Sequence, residues 1–102
     1  MKVEFKKYKV KVVPKKKLDN GDYLGMNQPA GKEIKSYKGI VPAKKTVYVS
    51  TAVSKKDRPR IGRHEIIESE LMTKKKMAYK PAHKKSNKLE KLSKTEVNKK
   101  VK

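Results

Sequence analysis

The chain has no cysteine and no tryptophan, and its aromatic residues are one phenylalanine and five tyrosines. Without cysteine there is no disulfide staple, no thiolate nucleophile and no thiolate metal ligand. Any metal would have to be held by histidines, of which there are two, and by carboxylates. Acid is scarce as well, with 10 acidic residues against 30 lysines and arginines. No apolar run approaches the roughly 20 residues of a membrane-spanning helix. The opening "MKVEFKKYKVKVV" alternates charge with apolar residues and carries no signal-peptide core. These absences lead to an expectation of a protein without membrane contact that works in the cytoplasm, or, for a viral protein, in the host cytoplasm or the virion interior.

Lysine is what the chain has in excess, and the formal net charge is +20. A chain so basic attracts polyanions, because neutralised phosphates release their counterions. The charge lies at both ends, in "KKYKVKVVPKKK" and "HKKSNKLEKLSKTEVNKKVK". Nucleic acid or another polyanion is therefore an expected partner through these lysine-rich surfaces, with a solvated lysine coat as the plainer alternative. Reading of bases is not supported, since arginines are few and Tyr8, Tyr23, Tyr37, Tyr48 and Tyr79 form no stacking motif.

With 102 residues, 34% hydrophobic and 39% charged, the chain can build one small domain with a modest core. Residues 3–13 alternate as a strand whose parity slips near Lys6–Lys7, which predicts a bulge or two short strands. Asn20-Gly21 is a two-residue hairpin signal, and a short strand is expected near Ile34–Tyr37. "KTVYVST" (Lys45–Thr51) is the best strand pattern. After it, Ser54 or Asp57 offers an N-cap and Pro59 an early helical position. The expected class is α+β: a β-rich part over 1–52, as a small antiparallel sheet or hairpins, followed by two helices over about 59–76 and 81–94. That makes a single domain of residues 1–93, with 94–102 as a basic flexible tail. The glycines of "NGDYLGMNQPAG" do not have phosphate-cradle spacing, so this stretch reads as hairpin plus loop.

"IGRHEIIESELM" (Ile61–Met72) stands apart, because three glutamates and one histidine crowd into a basic chain. On a helical wheel at about 100° per residue, Ile61, Ile67, Leu71 and Met72 mark the apolar face. His64 and Glu68 fall inside that face and Glu65 at its edge, while Arg63, Glu70 and Lys74 point outward. A buried carboxylate needs a partner, a proton or a metal. His64 and Glu68 are spaced i and i+4, which lets two side chains on one turn share one zinc ion. Glu65 stands where a general base would. His83, the other histidine, is the candidate third ligand from the second helix, with Glu90 as the fallback. A metal-free alternative is a His64–Glu68 pair that tidies the core, with Arg58, Arg60 or Arg63 answering the acids. Another is an acidic ridge for a partner. The two helices also read as a helix-turn-helix with a lysine-rich reader, although the acidic cluster would then lie close to the DNA.

"HEIIE" resembles the H-E-x-x-H signature of zincin metallopeptidases with glutamate in place of the second histidine. The stretch from "KTVYVST" through this helix is similar to the minimal zincin layout of edge strand, capped loop and metal helix. Small phage and archaeal zincin-like proteins carry comparable H-E-x-x-E helices, followed by a Y-x-x-A-H element that Tyr79, Ala82 and His83 match. The resemblance covers about residues 45–90. It implies a zinc or another divalent metal on His64, Glu68 and His83, with Glu65 as the catalytic carboxylate. The expected function is a small metal-binding, zincin-like protein of viral character, as a minimal or degenerate metallopeptidase-like hydrolase. The alternative is a basic nucleic-acid-binding or virion-associated protein without catalysis.

Overall fold

The fold is that of a computed structural model, described over residues 1–101. Three short strands form one mixed sheet: β1 (Lys9–Val13), β2 (Gly25–Asn27) and β3 (Thr46–Ser50). The order is β1-β3-β2, with β1 parallel and β2 antiparallel to the central β3. The helices are α1 (Gln28–Glu33), α2 (Arg58–Lys74), α3 (Tyr79–Leu89) and α4 (Lys94–Lys100). The α+β class expected from the sequence is the observed one. Among the described residues, no helix is long and apolar enough to cross a membrane.

The sheet is mixed rather than antiparallel because no hairpin forms at Asn20-Gly21. Lys15–Lys17 coil into a 3-10 turn, and Asp19, Asn20 and Gly21 all take positive φ, which leads the chain past the fully buried Leu18. Asp and Asn tolerate that conformation because their short polar side chains bond locally, and Gly takes it freely. The chain then enters β2, which pairs with β3, and β1 joins β3 only through the long connection that parallel strands need. The slip at Lys6–Lys7 is a 3-10 turn, Phe5–Lys7, that turns the buried Phe5 inward before β1 starts.

The strand expected near Ile34–Tyr37 is absent, and α1 stands just before it. Asn27 caps this helix by accepting from the Ala30 N–H, and Pro29 sits in the first turn where a missing N–H costs nothing. α2 begins after Asp57, which holds the expected N-cap position, but its side chain makes no capping bond to the helix. Instead the Ser54 hydroxyl donates to the Asp57 carboxylate. The expected flexible tail over 94–101 is instead α4. Ser93 accepts from the Glu96 N–H and its hydroxyl donates to the Glu96 carboxylate, while Val97 and Val101 are fully buried. Two valines one turn apart anchor the helix to the core. Lys102 lies outside the described residues.

β3 alternates, with Val47 and Val49 buried, and α2 packs across β2 and β3. Ile67 and Leu71 of α2, Ala82 and Leu89 of α3, and Met26 of β2 close the core. α2 is thus the central element, buried on all sides from His64 to Met72. Glu70 shows how thoroughly. The wheel sends it outward, yet the structure buries it completely, because the N-terminal segment wraps over that side of α2. Its carboxylate accepts from the Glu4 N–H at 3.0 Å and the Tyr8 hydroxyl at 3.2 Å, and pairs with Lys74 at 3.0 Å and Lys45 at 3.4 Å. Burial alone would raise its pKa. The Glu4 N–H and the two lysines more than offset that, and the net shift is downward.

Candidate metal centre

α2 and α3 pack along each other, and β2 closes the space between them from the sheet side. α3 is aimed by Glu33 at the end of α1, whose carboxylate accepts from the Tyr79 N–H at 2.7 Å. It is also tied to α2 by the Ser86 hydroxyl, which donates to the His64 carbonyl at 2.7 Å. Arg63 donates to the Glu90 carbonyl at the far end of α3. These bonds set the register that brings His83 opposite His64.

Three donor atoms converge there. His64 Nε2 lies 3.1 Å from Glu68 Oε2 and 3.2 Å from His83 Nδ1, and His83 Nδ1 lies 2.8 Å from Glu68 Oε2. His64, Glu68 and His83 are the group among the described residues that could hold a metal ion. His64 and Glu68 are buried, as the wheel requires, and His83 is half-buried at the mouth. A tetrahedral zinc with bonds of about 2.0–2.1 Å needs ligand–ligand edges of about 3.3–3.4 Å. The observed triangle would open to meet it, most of all along the 2.8 Å edge, by roughly half an ångström.

The surroundings fix these groups. Glu90, the fallback ligand, is not in the triangle, because its Oε1 lies 2.9 Å from His64 Nδ1 on the other side of the ring. A carboxylate at that distance accepts from the Nδ1–H, so Nε2 is the nitrogen aimed at Glu68 and His83 and the one a metal would take once its proton leaves. Arg60 pairs with the other oxygen of Glu90. Asn27 is fully buried, and its amide donates to Glu65 Oε1 at 3.0 Å and Glu68 Oε1 at 2.9 Å, so one side chain aligns both carboxylates. Sequence reasoning missed Asn27, for which the only signal was the N-cap of α1. Gly25 lies so close that a Cβ there would meet Glu65 Cγ at 2.8 Å.

Glu65 is buried beside the triangle, with Oε2 3.9 Å from His64 Nε2. Burial and the charge of Glu68 raise its pKa to about 8, against partial relief from His64 and Asn27. A carboxyl whose proton affinity is raised by burial and a neighbouring charge is suited to proton transfer. For His64, burial favours the neutral ring. The hydrogen bond to Glu68 and the charges of Glu65 and Glu68 outweigh it and lift the pKa to about 9. The cavity holds about 420 Å³ and is lined also by Tyr23, Leu24 and Tyr79. The Tyr79 hydroxyl lies 3.5 Å from His83 Nδ1 at the entrance.

No protein-family model, curated protein or solved structure matches the chain. The functional reading therefore rests on the chemistry of this site.

Proposed function

We propose that the protein binds one divalent metal ion, zinc by preference, on His64, Glu68 and His83, and that it is a minimal zincin-like hydrolase. The observation that carries this reading is the convergence of two imidazole nitrogens and a carboxylate oxygen within 2.8–3.2 Å, supplied by two helices. Two nitrogens and one oxygen suit zinc among the common divalent metals. Bound there, the metal would lower the pKa of a coordinated water and polarise a carbonyl.

The chain's own residues divide the remaining work. Glu65, held by Asn27 and confined by Gly25, accepts the proton of the attacking water and returns it to the leaving group. Glu90 fixes the His64 tautomer and is itself steadied by Arg60. A chain of this size has room for a short substrate segment in a cavity of about 420 Å³, not for an extended groove. A peptide or comparable acyl bond is the reaction class that fits a carboxyl base beside a Lewis acid. The lysine coat adds a salt-sensitive affinity for polyanions, nucleic acid included.

A second reading uses the same atoms without a metal. The raised pKa of His64, and the absence of any unsatisfied buried side-chain polar atom among the described residues, fit an imidazolium clamped between Glu68 and Glu90. Metal content separates the two. Untagged protein should carry close to one equivalent of zinc, and His64→Ala/Glu68→Ala should carry none. Glu65→Gln should keep the zinc and lose hydrolysis. Wild-type protein that takes up no zinc when it is supplied would leave only the clamp.

A further inference from the structure

We propose that the free edge of β1, with the groove beneath it, binds an extended acidic peptide in which apolar residues alternate with carboxylates. The proposal is independent of the metal site, which lies on the other side of α2. His64, Glu65 and Glu68 line the metal cavity, whereas Arg58, Gly62, Arg63 and Ile66 line this groove.

β1 ends the sheet, and its ladder shows which backbone groups are free. The Lys9 N–H donates to the Lys45 carbonyl, and the Val13 carbonyl accepts from the Thr51 N–H. In a parallel pair the bonding residues alternate, so Lys9, Lys11 and Val13 face β3. The N–H and C=O of Val10 and Val12 face outward, where an added strand can pair with them.

The side chains alternate in step with the backbone. Val10 and Val12 are 48% and 46% exposed, unusual for valines in a strand this close to a core. They stand on the face that carries Tyr8 and looks toward α2. Because α2 crosses beneath β2 and β3, the floor under β1 stays open as a groove of about 560 Å³. Phe5, Val10 and Ile66 contribute its apolar walls, and Lys55, Arg58, Arg63 and Lys94 its rim, with no acidic lining residue. Lys9 and Lys11 occupy the opposite face of the strand and are exposed.

An added strand would therefore turn every second side chain to an apolar groove and every other one to lysines. That periodicity defines the ligand. A second copy pairing through its own β1 would set lysine against lysine. Single-stranded nucleic acid would find charge but no free ring to stack on, since Phe5 is buried and the Tyr8 hydroxyl is held by Ser69 and Glu70.

The test is fluorescence anisotropy of the full chain at physiological salt. The probes are a labelled peptide of alternating valine and glutamate, a block peptide of the same composition, and a single-stranded oligonucleotide. The alternating peptide should bind at least about tenfold more tightly than the block peptide. Val12→Pro removes an outward N–H and no ladder bond, and should weaken that binding at least about tenfold. Lys9→Glu/Lys11→Glu changes only exposed positions and should transfer the preference to alternating valine and lysine. It decides the matter if Val12→Pro fails to fold. Equal binding of the two acidic peptides, or an unchanged preference in the double variant, would overturn the proposal. So would a loss of oligonucleotide rather than peptide affinity in Val12→Pro.

Discussion

Titrating metal-free protein with zinc should raise its thermal unfolding midpoint, and the rise should grow with pH. The reason lies at His64. Without metal, Glu68 and Glu90 hold its second proton up to about pH 9, so a metal ion must displace a proton to reach Nε2. Near neutral pH that competition costs two powers of ten in affinity, or about 3 kcal/mol. Apparent zinc affinity should therefore climb close to tenfold per pH unit from about pH 7 to about pH 8. Zinc at a hundredfold excess over its Kd stabilises the native state by about 2.7 kcal/mol, which for a domain of this size raises Tm by about 10–20 °C.

The metal-free protein should move the other way. A histidine whose folded pKa is raised contributes its full stability below its ordinary value of 6.5, and that contribution is lost as the pH rises through about 9. Zinc-loaded and chelator-treated samples should thus diverge as the pH rises, and differential scanning fluorimetry over this range reads both slopes. A zinc-induced rise that shrinks with pH, or that persists in His64→Ala/Glu68→Ala, would refute the proton–metal exchange at His64.

Glu90→Gln keeps an acceptor for His64 Nδ1 but removes its charge, and should weaken zinc binding about tenfold by calorimetry, where loss of a true ligand would abolish it. Glu70→Gln leaves Lys45 and Lys74 facing a neutral amide. Because both lysines are partly solvated, the cost should be about 2 kcal/mol by urea unfolding. The folded pKa of Glu70 is lowered from 4.5, so its contribution is present above that value and lost as the pH falls below it. Glu70→Gln should accordingly flatten the acid side of the stability profile. Val97→Ala should cost about 2 kcal/mol in the same assay, whereas a valine in an unpacked tail would cost less than about 0.5 kcal/mol.

The sequence pattern carried the inward side of α2 and not its outward side. His64 and Glu68 could be placed in the core because they share a face with Ile67 and Leu71, and a helical period assigns a face wherever a helix forms. The same period sent Glu70 outward on the assumption that α2 is covered from one side. That assumption fails because the segment before β1 folds over the back of the helix, with Glu70 accepting from Glu4 and Tyr8. Nothing local to "ESELM" records this contact, since its partners lie more than 60 residues away in the chain. α4 was legible in principle, because S-K-T-E at Ser93–Glu96 is a capping box followed by valines at helical spacing. There the density of lysine masked a signal that was present.

Asn27 marks a different limit. Its three bonds serve three levels of structure at once: the Ala30 N–H for the cap of α1, Glu65 for the candidate base and Glu68 for the candidate ligand. A pattern reader sees only the first, because a cap is local and the two carboxylates are 38 and 41 residues distant. The consequence is mechanical. Replacing Asn27 would free the two carboxylates from a shared donor and uncap the helix whose end aims α3, so base, ligand and His83 would lose their alignment together. A site this small has no separate scaffold, and the residues that position the chemistry are also those that hold the elements in place.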